Sequence, residues 1–205
     1  MIAAGLQHSI CLTAHGDVWA FGRNNEGQLG TGSQTNSPVP VHINTLKDIV
    51  QVSCSYYSSF CLDRSGKLWS FGFGTSGQLG DNQCQNTNIP RALTELPPIC
   101  SVSCGEHHTM CIDNNYGLWG FGVNSSGQLG TGHGNQVNSP VQIQTERPIH
   151  LVSCGEDFTI IKDSAGRIFS TGSNQYGQLG LGSSGGNQNT FVEMKNPPEN
   201  ISTID

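Results

Sequence analysis

Charge is scarce in this chain of 205 residues: Asp, Glu, Lys and Arg together make up only 12%. Cations are scarcer still, with 9 Lys and Arg against 15 Asp and Glu and a formal charge of −6. Displacing counterions from a phosphate backbone takes a row of basic side chains, so no nucleic-acid partner is expected for this segment. Nowhere does the chain approach the roughly 18 unbroken apolar residues of a membrane-spanning helix, and no membrane role is expected. Met1 to Leu12 lacks the basic start and the long apolar core of a secretory signal. The expected compartment is therefore cytoplasm or nucleus, where the eight cysteines would be thiols. What is abundant is glycine, 27 residues of it, beside 35% hydrophobic residues, which points to a soluble, turn-rich, all-β protein.

Laid against itself, the chain repeats. Gly-Gln-Leu-Gly occurs at Gly27–Gly30, Gly77–Gly80, Gly127–Gly130 and Gly177–Gly180, at a constant step of fifty residues. The same step relates Trp19, Trp69, Trp119 and Phe169; Phe21, Phe71, Phe121 and Thr171; and Ala4, Cys54, Cys104 and Cys154. Within one copy, short extended segments such as Val52–Cys54, Phe60–Leu62 and Leu68–Gly72 are separated by turn residues. A further strand is expected around Val39–Ile43 and Val141–Gln144. The turn Asp63-Arg64-Ser65-Gly66 has a mechanism, since the carboxylate accepts from the amides that follow it and glycine supplies a positive φ. In the third copy Tyr116 falls in the glycine place and Gly117 follows it, so a bulged hairpin is expected there. Strands apolar on both faces require cover on both sides, and stacked blades provide it. The expectation is a β-propeller of about four four-stranded blades, one domain over residues 1–205 with repeats near 2–51, 52–101, 102–151 and 152–203.

Val102-Ser103-Cys104-Gly105-x-x-His108-Thr109, Leu118-Trp119-Gly120-Phe121-Gly122 and Asn124 to Gly130 resemble the repeat of the regulator of chromosome condensation family. Kelch repeats share the period, but the double glycine expected of them does not recur. The resemblance implies seven blades in the founding member, so four copies read as part of a propeller. An open array leaves a blade face bare at each end. At roughly 400 Å² of apolar area and about 25 cal/mol/Å², each bare face forgoes on the order of 10 kcal/mol. Missing repeats or self-association are thus expected to cover the ends. Ile2-Ala3-Ala4 and Ile201-x-x-Ile204-Asp205 also match complementary halves of one strand, which leaves a closed small ring as the alternative.

Several side chains invite chemistry. Cys104, His107, His108 and Cys111 would suit zinc by type and spacing, but the other copies carry Ala4, Gln7, Tyr57, Ser58, Phe158 and Ile161 among the equivalent places. No metal and no cofactor is expected, and the cysteines read as small buried hydrophobes. His8 and His108 recur without a Ser or Asp companion set, so no catalytic residues are assigned and an enzyme is not expected. The three tryptophans read as core. What varies against the constant frame is the short segment Leu6-Gln7, Tyr56-Tyr57, Glu106-His107 and Glu156-Asp157. In a propeller these loops gather on one mouth. Gln7, Tyr56, Tyr57, Glu106, His107, Glu156 and Asp157 are therefore the candidate protein-binding face. The expected function is a non-enzymatic protein-interaction scaffold. The resemblance keeps two alternatives open: nucleotide exchange on a Ran-like small GTPase, although the equal fifty-residue intervals leave no room for a wedge-like insertion, and a substrate-recognition or localisation module of a ubiquitin ligase or kinase.

Overall fold

The computed structural model describes residues 1–198 and 201. Four antiparallel sheets of four strands follow one another along the chain, each a simple meander. The first contains β1 (Ile2–Ala4), β2 (His8–Leu12), β3 (Val18–Gly22) and β4 (Ser37–His42). The second contains β5 (Ile49–Cys54), β6 (Ser58–Asp63), β7 (Leu68–Gly72) and β8 (Thr87–Ala92). The third has β9 (Ile99–Cys104), β10 (His108–Asp113), β11 (Leu118–Gly122) and β12 (Val137–Ile143), and the fourth β13 (Ile149–Cys154), β14 (Phe158–Asp163), β15 (Ile168–Gly172) and β16 (Gln188–Glu193). The innermost strands β1, β5, β9 and β13 pack in that order around a common axis. They carry the small residues that such crowding demands, and an inner-strand amide bridges neighbours: Gln51 Nε2 donates to the Val102 carbonyl at 3.1 Å.

The turns form for local reasons. Asp63 Oδ1 accepts from the amides of Ser65 and Lys67 at 2.9 and 3.0 Å, and Asp113 and Asp163 repeat the arrangement. In the first blade Thr13 Oγ1 does the same work, accepting from Asp17 N at 3.1 Å. Gly66 turns the chain with φ +86°. The expected bulge in the third hairpin is absent. Its register runs His108↔Gly122 to Ile112↔Leu118, matching the other blades, because Tyr116 itself adopts φ +64°. The sheet irregularities lie instead between the first two strands, at Ile49/Gln51, Ile112/Asp113 and Ile149/Leu151, and between the last two.

Three hydrophobic seams join the four sheets. Leu29, Leu79 and Leu129 of the repeated tetrapeptide are fully buried, one in each seam. Phe71 and Phe121 lie flat against the bare α-carbons of Gly30 and Gly80, where an added Cβ would come within 2.7 and 2.8 Å of the ring. The third seam lacks that phenylalanine, Thr171 standing in its place. Phe191 from β16 covers Gly130 instead, while Thr171 Oγ1 donates to the Gly127 carbonyl at 2.8 Å. The glutamine of the tetrapeptide serves its own loop: Gln28, Gln78, Gln128 and Gln178 each accept from the amide two residues earlier.

The tryptophans correct the expectation of simple core packing. Trp69 and Trp119 are half-buried at the seam margins, with indole N–H groups donating to Asp63 Oδ2 at 3.1 Å and Asp113 Oδ2 at 2.8 Å. Trp19, on the outer face of the first sheet, is 37% exposed and stacks on His42. Ile2 on that same face is 76% exposed, whereas its counterpart Val52 is 4% exposed. The arc is open, a partial propeller. Ile204 and Asp205, half of the proposed closing strand, lie outside the described residues.

Two seams also carry a buried polar relay. His8 Nε2 meets Ser59 Oγ at 2.9 Å, and that hydroxyl donates to the Gln28 carbonyl at 2.7 Å. His108, Thr159 and the Gln128 carbonyl repeat it at 3.0 and 2.7 Å. Since the hydroxyl proton goes to the carbonyl, the neutral imidazole must donate from Nε2. Nδ1 is then buried without a partner, and a second proton there would have no acceptor. Burial accordingly lowers His8 to about 4 and, with a smaller push from His107, His108 to about 3.

Two expectations follow for stability. The unfolded imidazoles take up protons near 6.5 and the folded ones do not, so stability is complete above pH 6.5 and falls as pH drops toward 4 and then 3. His108→Phe, which copies Phe158 at the equivalent place, should remove on the order of 2 kcal/mol of the loss between pH 7 and pH 5 in urea titrations. Gly166→Ala, whose Cβ meets nothing within 4 Å, should cost about 1 kcal/mol of left-handed strain alone. Gly66→Ala should cost more, because its Cβ would lie 2.8 Å from Pro98. Equal unfolding midpoints for the two variants would contradict this reading.

Candidate protein-binding face

The loops between the first and second strands of each sheet emerge at one end of the axis. Each is closed by a short bond, such as Gly5 N to the His8 carbonyl at 2.9 Å and Gly105 N to the His108 carbonyl at 2.8 Å. The first loop is tied to the second by Leu6 N to the Tyr56 carbonyl at 3.1 Å, and the third to the fourth by Glu106 N to the Glu156 carbonyl at 3.0 Å. The side chains they present are thus held on a braced rim.

Two concentric sets result. Leu6, Tyr56, Glu106 and Glu156 line a central cavity of about 390 Å³. Gln7, Tyr57, His107 and Asp157 stand next to them along the chain and reach toward the residues that follow the third strands. There, Arg23, Phe73, Val123 and Ser173 bond through their amides to the carbonyls of Gln7, Tyr57, His107 and Asp157 at 2.8–2.9 Å. Arg23 and Phe73, which the sequence pattern did not single out, thus stand beside the candidate loop residues. Both follow the invariant Gly22 and Gly72, at a place that varies as Arg, Phe, Val and Ser. That contrast with its constant neighbour was the available signal.

The face is chemically divided. On the side of the second blade, Tyr56, Tyr57, Phe73 and His107 form a contiguous aromatic group, with Tyr56–Tyr57 centroids 6.5 Å apart, Tyr56–His107 6.3 Å and Phe73–His107 5.7 Å. The Arg23 guanidinium lies 4.9 Å from the Tyr57 ring centre and is held there by Glu26 at 2.8 Å and Gln7 Oε1 at 2.9 Å. Toward the fourth blade the rim turns acidic. Burial, then the neighbouring Glu156, raises the Asp157 carboxyl above its ordinary value, although Gln128 Nε2 donates to it at 3.1 Å. Burial also raises Glu106; Glu156 and Asp157 add to the shift and His107, 3.5 Å away, opposes it. Tyr56 is raised by burial and by the same carboxylates.

The zinc-like quartet does not converge. His107 stands on the rim beside Gln78, whereas His108 points across the third seam to Thr159. Among the described residues no group of three or more His, Cys, Asp or Glu is disposed to hold a metal ion. The cysteines are free thiols, and burial raises those of the inner strands, Cys154 to about 12, so they stay protonated at neutral pH.

The family model for the RCC1-like domain matches residues 1–205. In solved structures the chain superposes on human WBSCR16 with a TM-score of 0.85 at 23% identity, covering 95% of this chain and 51% of that one. It superposes on Prp20p of Saccharomyces cerevisiae with a TM-score of 0.84 at 22% identity, covering 96% and 50%. Among curated proteins, 62 residues are 42% identical to the human probable E3 ubiquitin-protein ligase HERC6, over 29% of this chain and 6% of that protein. A further match, 44% identical over 55 residues, is to the RCC2 homolog of Danio rerio, over 25% of this chain and 11% of the relative. The chain therefore spans about half the length of the solved propellers and a small part of these curated relatives. Repeat, blade and seam agree with the match over the full length: the chain belongs to the RCC1-like domain family.

Proposed function

We propose that this chain is a non-enzymatic interaction module that holds a partner protein against the face formed by Gln7, Tyr56, Tyr57, Glu106, His107, Glu156 and Asp157. The observation that carries this reading is the aromatic group beside the acidic rim, on loops bonded in pairs, the first to the second and the third to the fourth. Tyrosines fixed by their surroundings lose little freedom on binding, which is what makes them effective anchors. The raised carboxyls of Glu106 and Asp157 favour a partner segment bearing Lys or Arg, whose charge would relieve their mutual repulsion. A compartment in the cytoplasm or nucleus belongs to the same proposal.

Nucleotide exchange is the second reading. The structure of the similar Prp20p was described with its binding to Gsp1p and histones, so a small GTPase and histones are the first partners to test. Binding of nucleotide-free GTPase and of histones is to be measured by interferometry for the parent and for Tyr56→Ala/Tyr57→Ala. Where a partner binds, the double variant should weaken it about tenfold or more at an unchanged unfolding midpoint, and added salt should weaken it further. Undiminished binding by the double variant would move the interface elsewhere. Acceleration of nucleotide release would favour exchange over scaffolding.

A further inference from the structure

The third seam is built differently from the other two at the opposite end of the axis, where the chain enters each new blade. In the first seam Leu46 plugs this point and is 1% exposed; in the second, Leu96 packs against the seam cluster. The fifty-residue step puts Glu146 at the same place in the third. Its side chain is 83% exposed and turns out to Arg167 at 3.3 Å. The aromatic beside the plug shrinks too, Phe169 replacing the tryptophan of the other copies, and Arg167 Nε takes the Asp163 Oδ2 that an indole would have used, at 2.8 Å. Arg167 also lies over the Phe169 ring, 5.0 Å from its centre.

What remains is a cavity of about 200 Å³ floored by Ile149, Ile161, Phe169 and Phe191. Around that apolar floor stand Thr145, Glu146, Asp163, Arg167 and Thr190, so the pocket opens to solvent through a polar rim, and an aliphatic side chain seated on the floor would leave water. At its edge stands Arg147, exposed and in no ion pair among the described residues. We propose that this pocket docks a leucine-type side chain of a partner protein, with an acidic residue next to it meeting Arg147. The occupant is identified by the chain's own template, since leucine fills the equivalent space twice in the same molecule, and by the cation at the rim, which pairs with no carboxylate among the described residues. The pocket is separate from the aromatic and acidic face, so neither proposal depends on the other.

The probe is acetyl-Leu-Glu-amide, titrated into the isotope-labelled chain and followed by amide chemical shifts. Saturable shifts should centre on Thr145, Arg147 and Phe169. Acetyl-Ala-Glu-amide should bind about tenfold more weakly, as expected for losing one buried aliphatic side chain. Acetyl-Leu-Gln-amide should also be weaker, and Arg147→Gln should erase its difference from the parent peptide. Glu146→Leu, which restores the plug, should raise the unfolding midpoint and abolish binding. If that variant loses its dispersed spectrum, Phe169→Trp makes the same test by filling the cavity from its floor. Absence of saturable shifts, equal binding of the alanine peptide, or full binding by a folded plugged variant would overturn the proposal.

Discussion

The contact between a flat phenylalanine ring and the bare α-carbon of a glycine, roofed by a buried leucine, holds this molecule together. It occurs where Phe71 meets Gly30 beside Leu29 and where Phe121 meets Gly80 beside Leu79. No sheet of four short strands can bury both of its faces alone, so each blade exists in its folded form because a neighbour covers it. The third seam shows the strength of the requirement. When Phe becomes Thr171, another ring, Phe191, is brought in from the outermost strand to cover Gly130. The outer face of the first sheet shows the converse: Ile2 and Trp19 occupy seam positions there and stay exposed.

A frame so constrained can vary only where packing makes no demand. The loops at the mouth are closed by backbone bonds from Gly5, Ser55, Gly105 and Gly155 that use no side chain, so their side chains are free to differ from copy to copy. Leu6-Gln7, Tyr56-Tyr57, Glu106-His107 and Glu156-Asp157 use that freedom to place aromatic surface beside carboxylates. The pocket in the third seam arises differently, from a packing residue replaced by a charged one and left unrepaired. One site is variation the frame permits; the other is a gap in the frame.

Much of this was readable beforehand. The step relating the tetrapeptides and aromatics exposed blade and strand order, because a feature repeated four times cannot depend on one local context. Other features resisted. Tyr116 looked like a displaced turn because residue type alone does not reveal that a tyrosine takes positive φ here, within the same Asp113-centred turn and without shifting register. Arg23 and Phe73 were missed because their place on the rim comes from amide bonds to loops about sixteen residues earlier in the chain.

The amino-acid pattern alone establishes the repeated blades, the meander within each and the leucine that each tetrapeptide places in a seam, since these follow from periodicity and from local turn chemistry. Distances between copies are another matter. Which rings touch across the mouth, which thiols and imidazoles are buried beyond titration, and where Glu146 leaves a cavity all depend on how one blade rests on the next. Those quantities are set by three-dimensional packing between segments fifty residues apart, and no property of either segment in isolation contains them.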